Sequence, residues 1–138
     1  MTTKEKIIKL WLLKAESDLR TAQILIKDEN PPTDSICFHA QQAVEKLLKA
    51  YLTYLDIKAP KTHDIATLLE FCLSADEEFK ELDREKLEEL TFYAVEIRYP
   101  DAFYQPSIEE AREALKQAVS LKEFVLKKLR EVVKNELF

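Results

Sequence analysis

An all-α fold is what this sequence predicts: an up-and-down antiparallel bundle of four long helices and one shorter helix, forming a single domain over residues 1–138. Three observations predict it. Apolar residues return every three or four positions along most of the chain, the spacing that places them on one side of a helix. Glycine is absent from all 138 residues, whereas tight hairpins, phosphate-cradling loops and dinucleotide fingerprints call on a residue without a Cβ. The five prolines fall between the periodic runs, where they end or interrupt helices. With 46% hydrophobic residues, a chain of this length can bury one substantial core and is too short for two.

The first helix is predicted over 3–28, with Ile7, Trp11, Ala15, Leu19, Ala22 and Ile26 on its inner side and Lys14, Glu16 and Arg20 facing water. It stops before Asn30-Pro31-Pro32, since a proline constrains its predecessor and lacks the amide donor. Thr33 or Asp34 caps a second helix reaching about Asp56, whose stripe of Ile36, Ala40, Ala43, Val44, Leu47, Tyr51 and Leu55 is widened by Leu48 and Tyr54. That width marks it as the centre of the bundle. After the connection 57–61, Thr62 caps a third helix that begins at His63 and Asp64 and carries Ile65, Leu68, Leu69 and Cys72. The spacing of Ser74 and Glu77 suits a capping box for a short extra turn through Phe79 and Leu82. A fourth helix is predicted over 83–98, interrupted at Tyr99-Pro100, and the last helix starts from a Ser107–Glu110 capping box and runs almost to the end. Its Ala111, Ala114 and Ala118 allow a neighbouring helix to approach closely.

A formal charge of −5 gives a field that does not attract polyanions to the whole molecule. A local cleft can still bind RNA or a nucleotide. Cys37 and Cys72 have neither metal-site spacing nor the density of a disulfide scaffold, and read as buried thiols. No run approaches the ~20 apolar residues of a membrane span, and the N-terminus does not resemble a cleavable signal. The expected compartment is the cytoplasm, with no membrane association. Trp11, Phe38, Phe79, Phe92 and Phe124 do not fit one narrow seam, which points to a broad core or to homodimerisation.

Candidate functional residues are few. His39, mid-helix on the border of an apolar side, reads as a structural imidazole at a packing interface or as a catalytic or ligand-contacting group. His63 is expected at the first position of the third helix, where amide groups favour an anion and disfavour imidazolium, and it reads either as a proton-relaying or anion-contacting group or as part of an ordinary helix cap. The segment 96–104 gathers Arg98, Tyr99, Asp101 and Tyr104 at a proline-broken helix end. Such an arginine can clamp a phosphate and an aromatic ring can stack a base, although Arg98 can instead pair with Glu96, Asp101 or a carboxylate of a partner chain. Glu45, Glu70 and Glu96 are helical carboxylates whose mutual distances the sequence does not fix. Ser35 and Ser107 read as helix-start residues rather than nucleophiles. Neither a metal site nor a cofactor is expected.

Three stretches carry a family resemblance: Phe38-His39-Ala40-Gln41-Gln42-Ala43-Val44-Glu45-Lys46-Leu47-Leu48-Lys49-Ala50, then Lys61-Thr62-His63-Asp64-Ile65, then Tyr93-Ala94-Val95-Glu96-Ile97-Arg98-Tyr99-Pro100. Together they resemble a HEPN domain. The resemblance implies a dimerising helical bundle, a partner of the minimal nucleotidyltransferase type in a two-component toxin-antitoxin-like system, and a nucleotide- or RNA-related site near the fourth helix. On this basis Arg98, Tyr99, Asp101, Tyr104 and His63 are the expected nucleotide-binding residues, and Arg98, His63 and His39 the catalytic candidates. RNA-cleaving members carry a histidine four to six residues after the arginine, and Ala102, Phe103 and Tyr104 stand there instead. The expectation is therefore a nucleotide- or partner-binding protein more than an enzyme. A metal-independent ribonuclease with a non-standard site and a non-catalytic scaffold are the alternatives.

Overall fold

The apolar periodicity resolves into seven helical segments and one 3₁₀ turn among the residues that the computed structural model describes, 2–95 and 104–133. They are α1 (Thr3–Leu25), α2 (Thr33–Tyr54), α3 (Ile65–Ala75), the 3₁₀ turn (Glu77–Glu81), α4 (Arg84–Glu89), α5 (Thr91–Val95), α6 (Ile108–Lys128) and α7 (Arg130–Val133). No strand occurs among them. The fold is an all-α bundle in which the α4–α5 run is one bent helix.

α2 sits at the centre, with α1, α3, α5 and α6 packed on it. α1 runs antiparallel to α2, since Lys4 meets Asp56, Trp11 meets Lys49 and Asp18 meets His39. α4 and α5 run antiparallel to α6, through Lys86 with Glu113 and Tyr93 with Glu110. The core joins Ile8, Leu12 and Leu19 of α1, Ile36, Val44, Leu47 and Leu48 of α2, Ile65 and Leu68 of α3, Leu87 of α4, and Leu121 and Val125 of α6.

The helix ends show which local signals prevailed. Ser107 and Glu110 form the expected capping box, and Thr2 and Glu5 form a second that opens α1. α2 instead has Pro32 at its cap position without a side-chain bond, because the Thr33 hydroxyl donates to the Pro106 carbonyl, 2.8 Å away. α3 is capped by Asp64, so it begins at Ile65, two residues later than expected, and His63 lies outside it. The Thr62 hydroxyl accepts from the Asp64 amide. Asp76, not Ser74, caps the 3₁₀ turn.

Asp56 holds φ at +61° just past α2. The Ile57 amide donates to the Leu52 carbonyl and the Asp56 amide to that of Thr53, the paired bonds of a Schellman ending. In a chain without glycine, an aspartate fills the left-handed position.

Two further expectations are corrected. The helix read as continuous over 83–98 bends at Leu90, where the Leu90 amide bonds to Leu87 and that of Tyr93 to Leu90, three residues back instead of four. Its part beyond Val95 lies outside the described residues. In α1 the buried row is Ile8, Leu12, Ala15, Leu19 and Ala22, while Ile7 is 41% exposed and Trp11 packs only at the edge. The run Ile7-Ile8-Lys9-Leu10-Trp11-Leu12-Leu13 satisfies two helical phases, and packing on α2 selects one.

Candidate functional site

Because neighbours surround α2, little of its circumference reaches the surface, and that strip carries His39, Gln42, Lys46 and Lys49, all partly buried. Two buried carboxylates flank it. On the α1 side Asp18 accepts from His39 Nδ1 at 2.8 Å and from the Lys46 ammonium. On the other side Glu45, 3% exposed, accepts from the Gln41 side chain, from Gln42 at 3.2 Å and from Lys49 at 3.5 Å, and His63 Nδ1 stands 3.1 Å away. Gln41 is fully buried and Gln42 donates to its carbonyl oxygen. Lys49 also lies 5.6 Å from the Trp11 ring centre, a cation–π distance.

His63 reaches Glu45 because the connection after α2 doubles back along that helix. The Ile65 amide donates to the Thr91 hydroxyl at 3.0 Å, which ties the end of the returning segment to α5. A carboxylate only accepts hydrogen bonds, so Asp18 and Glu45 fix the ring proton of each histidine on Nδ1. Nε2 of each ring is then the nitrogen turned away from the carboxylate. In its neutral form it accepts a proton, and in its charged form it donates one. Lys46 and Lys49 stand on the same strip, each ammonium offset by the carboxylate it donates to.

A second polar cluster forms where α5 faces the start of α6. Glu110 accepts from the Tyr93 hydroxyl at 3.0 Å and from that of Tyr104. The Tyr104 bond, assisted by the Ser107 amide and Tyr93 and opposed by burial, holds the Glu110 carboxyl below the usual range. Burial, the nearby Cys37 and the bond to Glu110 push the Tyr93 phenol well above its ordinary value. The Tyr104 ring meets Phe92 edge-on at 5.5 Å. The Thr33 hydroxyl accepts from the Gln105 side chain, fixing the chain as it re-enters beside α2.

The residues singled out from the sequence thus fall in different places. His39 and His63 flank the α2 strip on different carboxylates. Tyr104 belongs to the Glu110 cluster. Arg98, Tyr99 and Asp101 lie outside the described residues. Asp18 was missed as a functional residue. Its signal was a charged side chain beside the buried row of Ala15, Leu19 and Ala22, where an apolar residue is the usual choice. Among the described residues no group of three His, Cys, Asp or Glu side chains is placed to hold a metal ion.

Residues 8–129 match the family described as HEPN domain. The chain belongs to the HEPN domain family. This HEPN protein is also 30% identical over 140 residues to "Putative toxin MJ1304" of Methanocaldococcus jannaschii, an alignment covering 91% of this chain and 90% of that protein. No solved structure matches it significantly. The α2 strip and its buried carboxylates therefore lie within the matched region.

Proposed function

We propose that this HEPN protein is the toxin-like member of a two-component system, that it binds a nucleotide or RNA phosphate, and that its partner is a minimal nucleotidyltransferase. The observation that carries the binding reading is the pair of imidazoles held on the buried carboxylates Asp18 and Glu45 beside Lys46 and Lys49. Burying carboxylates is costly, and apolar residues of similar size would stabilise a bundle at least as well. Fixed ring nitrogens and two ammonium groups suit a phosphate, and Arg98, Tyr99, Asp101 and Tyr104 are the further binding residues that the family resemblance implies. The resemblance to a protein named as a toxin supports the two-component setting.

Calorimetric titration with nucleoside mono-, di- and triphosphates and with short single-stranded RNA tests this. Saturable binding is expected, weakened by His39→Ala, Lys46→Ala, His63→Ala and Arg98→Ala in variants that keep their helical circular dichroism. Absence of binding at millimolar ligand rejects the binding reading. Co-purification with the product of the neighbouring gene tests the partner.

A second reading is metal-independent RNA cleavage, favoured by the two imidazoles whose Nδ1 atoms are held on Asp18 and Glu45. It requires cleavage of labelled RNA in the presence of a chelator and loss of that cleavage in His39→Ala or His63→Ala.

A further inference from the structure

α1 shows the solvent a second ordered face, directly opposite its buried row. Lys6, Leu10, Leu13, Ser17, Arg20, Ile24 and, just past the helix, Lys27 follow one another at alternating steps of four and three, the spacing of a coiled-coil seam, and all are exposed. Leu10, Leu13 and Ile24 are 57%, 47% and 59% exposed, among the largest exposures of apolar side chains in the described structure.

Along the helix the charge on this face has one sign, and Asp28 and Glu29 follow only past its end. Lys6, Lys14, Arg20 and Lys27 make no ion pair or hydrogen bond through their side chains among the described residues. The three carboxylates of α1 are all engaged elsewhere: Glu5 in the capping box, Glu16 with Lys122 of α6 at 2.6 Å, and Asp18 with His39 and Lys46. A protein of formal charge −5 thus sets four uncompensated cations around a row of exposed aliphatic side chains.

We propose that the outer face of α1 is a docking surface for a helix of a different protein, apolar at heptad spacing and acidic on its flanks. Charge complementarity selects this occupant. A second copy laid on the same face would set lysines and arginine against lysines and arginine, the like-charge arrangement that disfavours pairing. A lipid surface would gain little, because Ser17 and Arg20 interrupt the apolar row that insertion needs. An RNA backbone would leave Leu10, Leu13 and Ile24 without a counterpart. An acidic amphipathic helix satisfies both components of the face.

The test uses the full chain and two designed helical peptides, both with leucine at the a and d positions, one flanked by glutamate and the other by lysine. Fluorescence anisotropy should show saturable binding of the glutamate peptide and at least about tenfold weaker binding of the lysine peptide. The double variant Leu10→Ser/Leu13→Ser should weaken the glutamate peptide by about tenfold or more, and Lys14→Glu/Arg20→Glu should invert the preference between peptides. Because these side chains lie outside the core, circular dichroism and thermal midpoints should not change.

Equal binding of the two peptides, no binding at millimolar peptide, or binding that survives both double variants overturns the proposal. So does self-association in sedimentation velocity that the same variants abolish, which assigns the face to a second copy. Tighter binding to phosphatidylglycerol vesicles or to single-stranded RNA than to the glutamate peptide also overturns it.

Discussion

His63 Nδ1 lies 3.1 Å from Oε2 of Glu45, so a residue with a 62% exposed side chain in the connection after α2 is bonded to one almost wholly buried in the middle of that helix. The pair holds the returning connection against α2. Glu45→Ala removes the acceptor of His63, Gln42, Lys49 and the fully buried Gln41. The Gln41 amide is then left with only the His63 carbonyl, 3.5 Å away, and the loss of its main acceptor dominates the cost, about 1–3 kcal/mol. Urea titration should show that loss, a smaller one for His63→Ala, and partial recovery in Glu45→Gln, whose amide oxygen still accepts. An unchanged Glu45→Ala midpoint would remove the energetic role given to this carboxylate.

Leu47 is 1% exposed in the core-facing side of α2. Leu47→Ala should destabilise by about 2–5 kcal/mol, depending on how far the surrounding side chains collapse into the space. Thermal and urea unfolding followed at 222 nm measure it.

The Cys37 and Cys72 thiols are fully buried, and burial pushes both up to about 12, with the negative charges of Glu110 and Asp76 adding to the effect. At about pH 8 the native protein should resist iodoacetamide, and both thiols should react once urea unfolds it. Because the folded values are raised, the contribution to stability is intact below the unfolded value near 9 and is lost as pH climbs toward 12. Rapid native-state labelling of either thiol, read by mass spectrometry, contradicts the packing described for it.

Asp76 joins three elements, accepting from the Tyr51 hydroxyl at 2.6 Å, from the Lys128 ammonium at 2.7 Å and from the Glu78 amide at 3.0 Å. Burial acts to raise its carboxyl, and the bonds from Lys128, Tyr51 and Glu78 outweigh that and hold it below the usual range. A depressed folded value contributes stability above the unfolded value near 3.8 and loses it as pH falls through the folded one. Asp76→Asn should therefore lower the urea midpoint at neutral pH and flatten its decline in acid. A variant with the wild-type acid slope would show that other carboxylates govern it.

The left-handed turn at Asp56 predicts an asymmetric pair of outcomes. Asp56→Val should cost about 1–2 kcal/mol, because a β-branched side chain tolerates positive φ poorly. Asp56→Gly should be neutral or stabilising by up to about 1 kcal/mol, since the Lys4–Asp56 pair that it removes is solvent-exposed and weak. Chemical denaturation of the two variants side by side checks the sign of each.

Periodicity was legible in the sequence wherever one helical phase stood alone. The stripe of α2 and the row Ala111, Ala118, Leu121, Val125 of α6 were readable from spacing, as was the Ser107–Glu110 box. Phase failed in α1, where consecutive apolar residues permit two faces and only contact with α2 decides. Continuity failed at Leu90, because no proline or glycine marks that bend and its cause is a local change of hydrogen-bond partner. For the site, His39 and His63 could be singled out by rarity alone. Their carboxylates could not, since Asp18 is 21 residues from His39 and Glu45 is 18 from His63, and only folding brings each pair together.

The alanines of α6 have a mechanical consequence. Ala111, Ala114 and Ala118 are all buried in a helix that rests on α2, leaving no slack between the two rods. A bulkier side chain at Ala118, at mid-length, would tilt α6 as a lever, lifting Glu110 from its two phenols at one end and Lys128 from Asp76 at the other, so that the disturbance would be felt first at both tips.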